Sequence, residues 1–206
     1  MKQLILIICL TISLISSNNL LGQSTTNSKF ISIGIGFSKI SADKIASEFD
    51  WRPSISLDGQ GEFQLNRFIS LIGGSGFSLL NTDNSHNNFD IRLSYLKTNF
   101  SIKYIIIQDK LSISFGGYGS YLIYKDISSN DARRSSDIDV YFNKYDFGLR
   151  NNLSYQIFNR KKNNFYIFIQ YEQGFSNLIK RYSMHVSSEG MWLRNTLIST
   201  GVTFKL

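Results

Sequence analysis

The sequence predicts an all-β protein: an eight-stranded antiparallel up-and-down transmembrane β-barrel, preceded by a signal peptide. Three observations carry this. Apolar and polar residues alternate with period two in eight separate stretches. The connections between those stretches alternate long and short. The composition is that of aromatic-rich strands, with 16 Phe, 11 Tyr and 15 Gly but only one Pro in 206 residues. Only 18% of residues are charged, against about 25% in an ordinary soluble domain. Such a chain is neither disordered nor collagen-like. Its apolar content is aromatic and β-branched rather than Ala/Leu-rich, which disfavours a helical bundle.

The N-terminus reads MKQLILIICLTISLISSNNLLGQS. Lys2 is a charged start, Leu4 to Ile15 an apolar core, and Ser16, Ser17, Asn18 and Asn19, then Gly22 and Gln23, a polar and small-residue exit. This is the pattern of a secretory signal peptide, too short to span a bilayer as a helix. Cleavage is expected near Gly22–Gln23, giving a signal over 1–22 and a barrel domain over 23–206; an uncleaved anchor is the alternative. Cys9 sits inside the apolar core without small residues before it, which argues against a lipoprotein signal. It is the only cysteine, so the mature chain is expected to hold no disulfide, thiolate metal site or cysteine nucleophile.

The strands follow in order. The first sets Ile31, Ile33, Ile35 and Phe37 against Ser32, Gly34 and Gly36. The second sets Ile55, Leu57, Phe63 and Leu65 against Ser54, Ser56, Asp58, Gln60, Glu62 and Gln64. The third carries Ile69, Leu71, Phe77 and Leu79. The fourth sets Leu96, Phe100, Ile102 and Tyr104 against Lys97, Asn99, Ser101 and Lys103, with an expected phase slip at Tyr95–Leu96. The fifth sets Leu111, Ile113, Phe115, Tyr121 and Ile123 against Ser112, Ser114, Gly116 and Ser120. The sixth sets Tyr145, Phe147, Leu149, Leu153, Tyr155 and Ile157 against Asp146, Arg150, Asn152, Ser154 and Gln156. The seventh sets Phe165, Ile167, Ile169, Tyr171 and Phe175 against Gln170 and Glu172, blurred by Tyr166 and Phe168. The eighth sets Ile198, Val202, Phe204 and Leu206 against Asn195, Ser199, Thr203 and Lys205.

Long gaps are expected at about residues 39–53, 80–90, 124–143 and 177–191, and short ones at Asn66–Arg67, about Ile105–Lys110, and Asn159–Asn164. Long-short alternation over eight strands of about ten residues is the pattern of an outer-membrane barrel with periplasmic termini. Alternation alone does not separate this from a soluble lipocalin-like barrel. Three features favour the membrane. Bulky apolar residues on every strand would overfill a small interior. Aromatics gather near strand ends, as in interfacial girdles. The opposite face, rich in Ser, Gly, Asn, Gln and charge, suits a wet interior.

The segments YLKTNFSIKY (Tyr95–Tyr104), LSISFGGYGSYLI (Leu111–Ile123), YDFGLRNNLSYQI (Tyr145–Ile157), YEQGFSNLI (Tyr171–Ile179) and RNTLISTGVTFKL (Arg194–Leu206) occur in this order. Together they resemble the PorT-type outer-membrane β-barrel family of Gram-negative bacteria, the porin-like barrel domain, over about residues 28–206. Lys97 and Asn99 stand where that pattern often has Glu and Pro, and Leu206 follows the usual terminal aromatic, Phe204. The resemblance implies the barrel fold and the outer membrane. It implies no substrate; one branch of the family assists protein secretion.

The polar face carries four acids, Asp58, Glu62, Asp146 and Glu172, and four bases, Lys97, Lys103, Arg150 and Lys205. An unpaired charge in a narrow lumen is costly, so these are expected to form a structural, salt-bridged lumen network; an ion path or a catalytic acid pair is the competing reading. His86 and His185 lie in polar loop sequence without a visible partner, so neither a Ser/His/acid set nor a metal site is expected. No catalytic residue, cofactor or metal is assigned.

Arg133–Arg134, within the loop 125–144, could meet lipopolysaccharide phosphate. The segment SADKIASEFDW could form a helical turn capped by Ser41. The net charge of +7 has no basic-aromatic stripe for nucleic acid. Gly73–Gly74 and Gly116–Gly117 are expected at close approaches or bulges. The functional expectation is a non-enzymatic structural or interaction protein acting through its loops on lipid or outer-membrane proteins. The alternatives are an accessory of secretion or transport, and a lipid-modifying enzyme.

Overall fold

The computed structural model describes residues 27–42, 50–84, 89–107, 110–129, 142–160, 163–178 and 193–206. Eight strands succeed one another: β1 (Asn27–Ala42), β2 (Asp50–Gln64), β3 (Ile69–Asn84), β4 (Phe89–Ile107), β5 (Leu111–Ser129), β6 (Tyr145–Arg160), β7 (Asn163–Gly174) and β8 (Leu193–Lys205). Each pairs with the next, and β8 returns antiparallel to β1, which closes the barrel. A closed barrel has no edge, so each strand can satisfy its backbone groups on both sides. Both described termini, the turn 65–68 and the facing ends of β4 and β5 and of β6 and β7 lie at one end, the periplasmic one by its short connections. The expected signal segment, Arg133–Arg134, His86 and His185 lie outside the described residues.

Period two sets the faces. Ile33, Leu57, Phe100, Leu149, Ile167 and Val202 are exposed on the outer wall, with Ile113 half-exposed beside them. Ser32, Ser56, Asp58, Lys97, Ser101, Arg150, Gln170 and Glu172 are buried in the lumen. Apolar side chains outside and polar ones inside are the reverse of a soluble barrel.

Several expectations change. The strands span 12 to 19 residues rather than about ten, because hydrogen-bonded pairing continues above the hydrocarbon layer. There the outward positions turn polar, as at Asp90 and Arg92. The expected gap over 80–90 accordingly shrinks to 85–88, with Asn84 paired to Phe89. Ser41 is not a helix cap; it pairs with Arg194 in the β1–β8 ladder.

The phase slip is also displaced. Ile91, Leu93, Tyr95, Lys97 and Asn99 all face inward, so β4 keeps one parity throughout. The register jumps from Ser94–Tyr124 to Tyr95–Leu122, which makes Ile123 of β5 the extra residue. Inward Leu93 and Tyr95 imitate a slip because the lumen itself turns apolar at that height. Tyr166 and Phe168, which blur the seventh strand, point inward as well.

Large inward side chains stand beside small ones. Phe168 pairs with Gly201, which pairs with Gly34, and a Cβ on Gly34 would come within 3.1 Å of the Phe168 ring. Gly116 separates Ser101 from Arg150 in register. These lumen glycines fit size to size, as small barrel interiors require. Gly73 and Gly61, on the outer wall, differ: a Cβ on Gly73 would meet nothing within 4 Å. Gly116 and Gly74 are thus close approaches as expected, whereas Gly73 is not, and Gly117 is open to a 3.4 Å contact.

A paired prediction follows. Gly148→Ala drives its Cβ into the carbonyl oxygen of Gln173 and is expected to cost about 1–3 kcal/mol by overpacking. Gly73→Ala removes only glycine's entropic penalty and is expected to gain about 0.5–1 kcal/mol. Urea unfolding of the refolded barrel in micelles measures both; equal effects would contradict the assignment of faces.

Candidate functional site in the barrel lumen

The lumen is built in three layers. The middle one is ionic. Arg150 on β6 donates to both Asp58 oxygens on β2, at 2.9 and 3.4 Å. In a closed ring of eight strands β2 and β6 are on opposite walls, so this pair crosses the full width. The same guanidinium lies 3.7 Å from Glu172 of β7. Glu172 also accepts from Lys97 of β4 and, at 3.0 Å, from Gln170. Lys97 stands 5.2 Å from the centroid of the Tyr118 ring, a cation–π contact. One guanidinium, one ammonium and two carboxylates therefore tie β2, β4, β6 and β7 together.

Asp146 holds no direct ion pair among the described residues. Its carboxylate accepts from Asn195 Nδ2 at 2.5 Å, from Tyr118 Oη at 3.0 Å and from Ser176. Three donors replace the cation that sequence reasoning supplies by counting alone. This cluster ties β5, β6 and β8 to the segment after β7.

Above it the lumen is apolar. Ile40, Leu80, Ile91, Leu93, Tyr95, Phe142, Leu178 and Leu197 form one buried cluster with Leu122 packed against it. Phe142 and Leu178 come from outside the strands. Their segments are joined where Asn143 N–H donates to the Leu178 carbonyl at 2.7 Å and Asn143 Nδ2 donates to the Asn177 carbonyl at 2.6 Å.

Below the ionic layer the lumen opens. Lys103 of β4 pairs with Glu62 of β2 at 2.8 Å and lies 5.7 and 5.9 Å from the rings of Phe30 and Tyr166. Those rings meet edge-on at 6.0 Å. A cavity of about 40 Å³ above this constriction is walled by Ser32, Asn99, Ser114, Asn152 and Arg150. A second, of about 90 Å³, lies towards the periplasm and reaches Lys205 and Lys110.

The eight charged residues named from sequence thus all reach the lumen face. Six form ion pairs, Asp146 is held by neutral donors, and Lys205 stands at the mouth. No group of three or more His, Cys, Asp or Glu suited to a metal occurs among the described residues. The apolar layer was missed in the sequence. Its signal is the doublets Leu79–Leu80, Leu122–Ile123 and Leu197–Ile198, where apolar residues occupy both faces near the outer end.

An outer-membrane β-barrel is also what comparison with known proteins returns. The family model described as outer membrane protein beta-barrel domain matches residues 21–180. This chain belongs to that family. It is accordingly an outer-membrane protein of Gram-negative type, its outer wall in contact with the lipid bilayer. Among solved structures it is similar to the outer membrane protein OprG from Pseudomonas aeruginosa, with 10% identity over 88% of this chain and 97% of that one and a TM-score of 0.52. It is also similar to Neisserial surface protein A, with 12% identity over 88% and 99% and a TM-score of 0.49. At 10% identity the likeness to OprG speaks to the fold alone. No curated protein matches the chain.

Proposed function

We propose that this barrel is a non-enzymatic structural or interaction protein that works through its outer rim and not through a conducting lumen. The observation that carries the reading is the Arg150–Asp58 pair, which crosses the full width of the barrel. An apolar layer lies above it. Eight strands leave room for little more than the side chains that fill them. The rim has substance of its own: β4 and β5 each run 19 residues, whereas a tilted crossing needs about 9–11. The surplus continues as hydrogen-bonded sheet, with Phe89 paired to Ser129. It presents Trp51, Arg52 and Tyr124 to the outside.

The order of motifs from β4 to β8 supports kinship with the PorT-type family; an accessory role in secretion or transport beside partner proteins is the alternative reading. Single-channel recording on the refolded barrel tests the closed lumen. The expected result is no stable, porin-sized conductance. Large steady currents would overturn the reading and make the inward charges a selectivity lining. A pull-down from detergent-solubilised outer membrane tests the rim.

A further inference from the structure

Among the described residues the lumen is open at its periplasmic end, and its charge there is unbalanced. The cavity of about 90 Å³ at the periplasmic mouth is lined by Lys103, Lys110, Lys205 and a single acid, Glu62. Glu62 is already committed to Lys103 at 2.8 Å. Lys110 and Lys205 make no ion pair among the described residues. Their placement follows from the fold. Lys205 continues the inward parity of Ser199, Gly201 and Thr203 on β8. Lys110 sits in the turn before β5, held by its N–H to the Ile107 carbonyl at 2.9 Å and by the Gln156 N–H donating to its own carbonyl at 2.7 Å. Ser28 and Ser112 add hydroxyls to the same wall, and the Phe30–Tyr166 pair narrows the way upward. Two cations that make no ion pair among the described residues, in a cleft with low-dielectric walls, focus potential on the space between them.

We propose that this vestibule is a binding site for a small phosphate- or carboxylate-bearing solute of the periplasm, held by Lys110 and Lys205 with the serine hydroxyls as further donors. The chemistry is that of charge-assisted hydrogen bonds from ammonium to an anionic oxygen. The same oxygens occur on the headgroups of inner-leaflet lipids. A soluble anion is favoured because the two lysines line the lumen cavity and do not crown the outer wall.

The test is calorimetric titration of the refolded barrel in zwitterionic micelles with inorganic phosphate and with succinate, chloride serving as the control anion. Saturable binding of either, weakened at least tenfold in the Lys110→Gln/Lys205→Gln protein and restored by Lys110→Arg/Lys205→Arg, is the expected result. Both positions lie at the mouth, outside the ionic layer; heat-modifiable migration on gels verifies that each variant is folded. No saturable binding, or binding that the glutamine protein retains in full, would overturn the proposal. A repeat in phosphatidylglycerol bilayers separates the sources: lysine-dependent enrichment of that lipid without binding of either soluble anion would likewise overturn it.

Discussion

Replacing Arg150 by alanine is expected to destabilise the barrel by about 3–5 kcal/mol, the usual cost of removing one partner from a buried ion pair. Arg150 holds Asp58 at 2.9 Å and approaches Glu172 at 3.7 Å. Without it both carboxylates stay in the lumen with one fewer counter-charge, and only Lys97 remains for Glu172. The loss measures uncompensated charge, not the net worth of the pair against an apolar filling. Removing both ends together separates the two. In Arg150→Met/Asp58→Leu no charge is orphaned on the β2 side, and a much smaller loss is expected. Urea unfolding of refolded protein in micelles gives both numbers. If Arg150→Ala unfolds at the same urea concentration as the parent, the guanidinium is not the tie across the lumen that its geometry describes. Single-channel recording adds an independent readout: opening the ionic layer alone should leave current low, because the apolar layer around Leu93 and Leu197 still closes the outer half.

Much of this was legible in the chain, for a physical reason. A strand whose two faces meet lipid and water must alternate, so Ile31, Ile33, Ile35 and Phe37 declare the outer wall of β1 without any knowledge of its neighbours. The same logic put Asp58, Lys97, Arg150 and Glu172 inside. It did not give their partners. That Arg150 meets Asp58 across the barrel, while Asp146 meets Tyr118, Asn195 and Ser176, depends on closure and on the stagger between strands, which no local pattern encodes. The apolar layer was hidden for a related reason. Where Leu80 and Leu197 turn inward beside outward Leu79 and Ile198, period two vanishes, and the sequence reads as a slip or a blur. The bulge was felt one strand away from its seat, because apolar Leu93 and Tyr95 masked the steady parity of β4 while Ile123 shifted β5.

Leu149→Arg is expected to cost about 2–4 kcal/mol, the penalty of an arginine facing the middle of a bilayer from a barrel wall. Its neighbour in sequence shows why one step along the chain decides the matter. Arg150 is 4% exposed and enclosed in the lumen, whereas Leu149 is 47% exposed on the outer wall. The alternation of β6 leaves no intermediate choice. Outward Tyr145 and Tyr155 bracket the apolar stretch, so Leu149 lies inside a band whose polar limits are marked by the tyrosine hydroxyls. An arginine there must reach past several apolar neighbours to find a headgroup, or draw water in after it. At Tyr145, near the edge of the band, the same substitution should cost only about 0–1 kcal/mol, since the penalty falls towards the interface. Equilibrium refolding from urea into lipid vesicles measures both variants against the parent. On a wall that faced water, an exposed leucine could become arginine within about 0.5 kcal/mol, and the two positions would respond alike. A Leu149→Arg barrel as stable as its parent would therefore show that this face does not meet hydrocarbon, and would invert the assignment of inside and outside on which the lumen network rests.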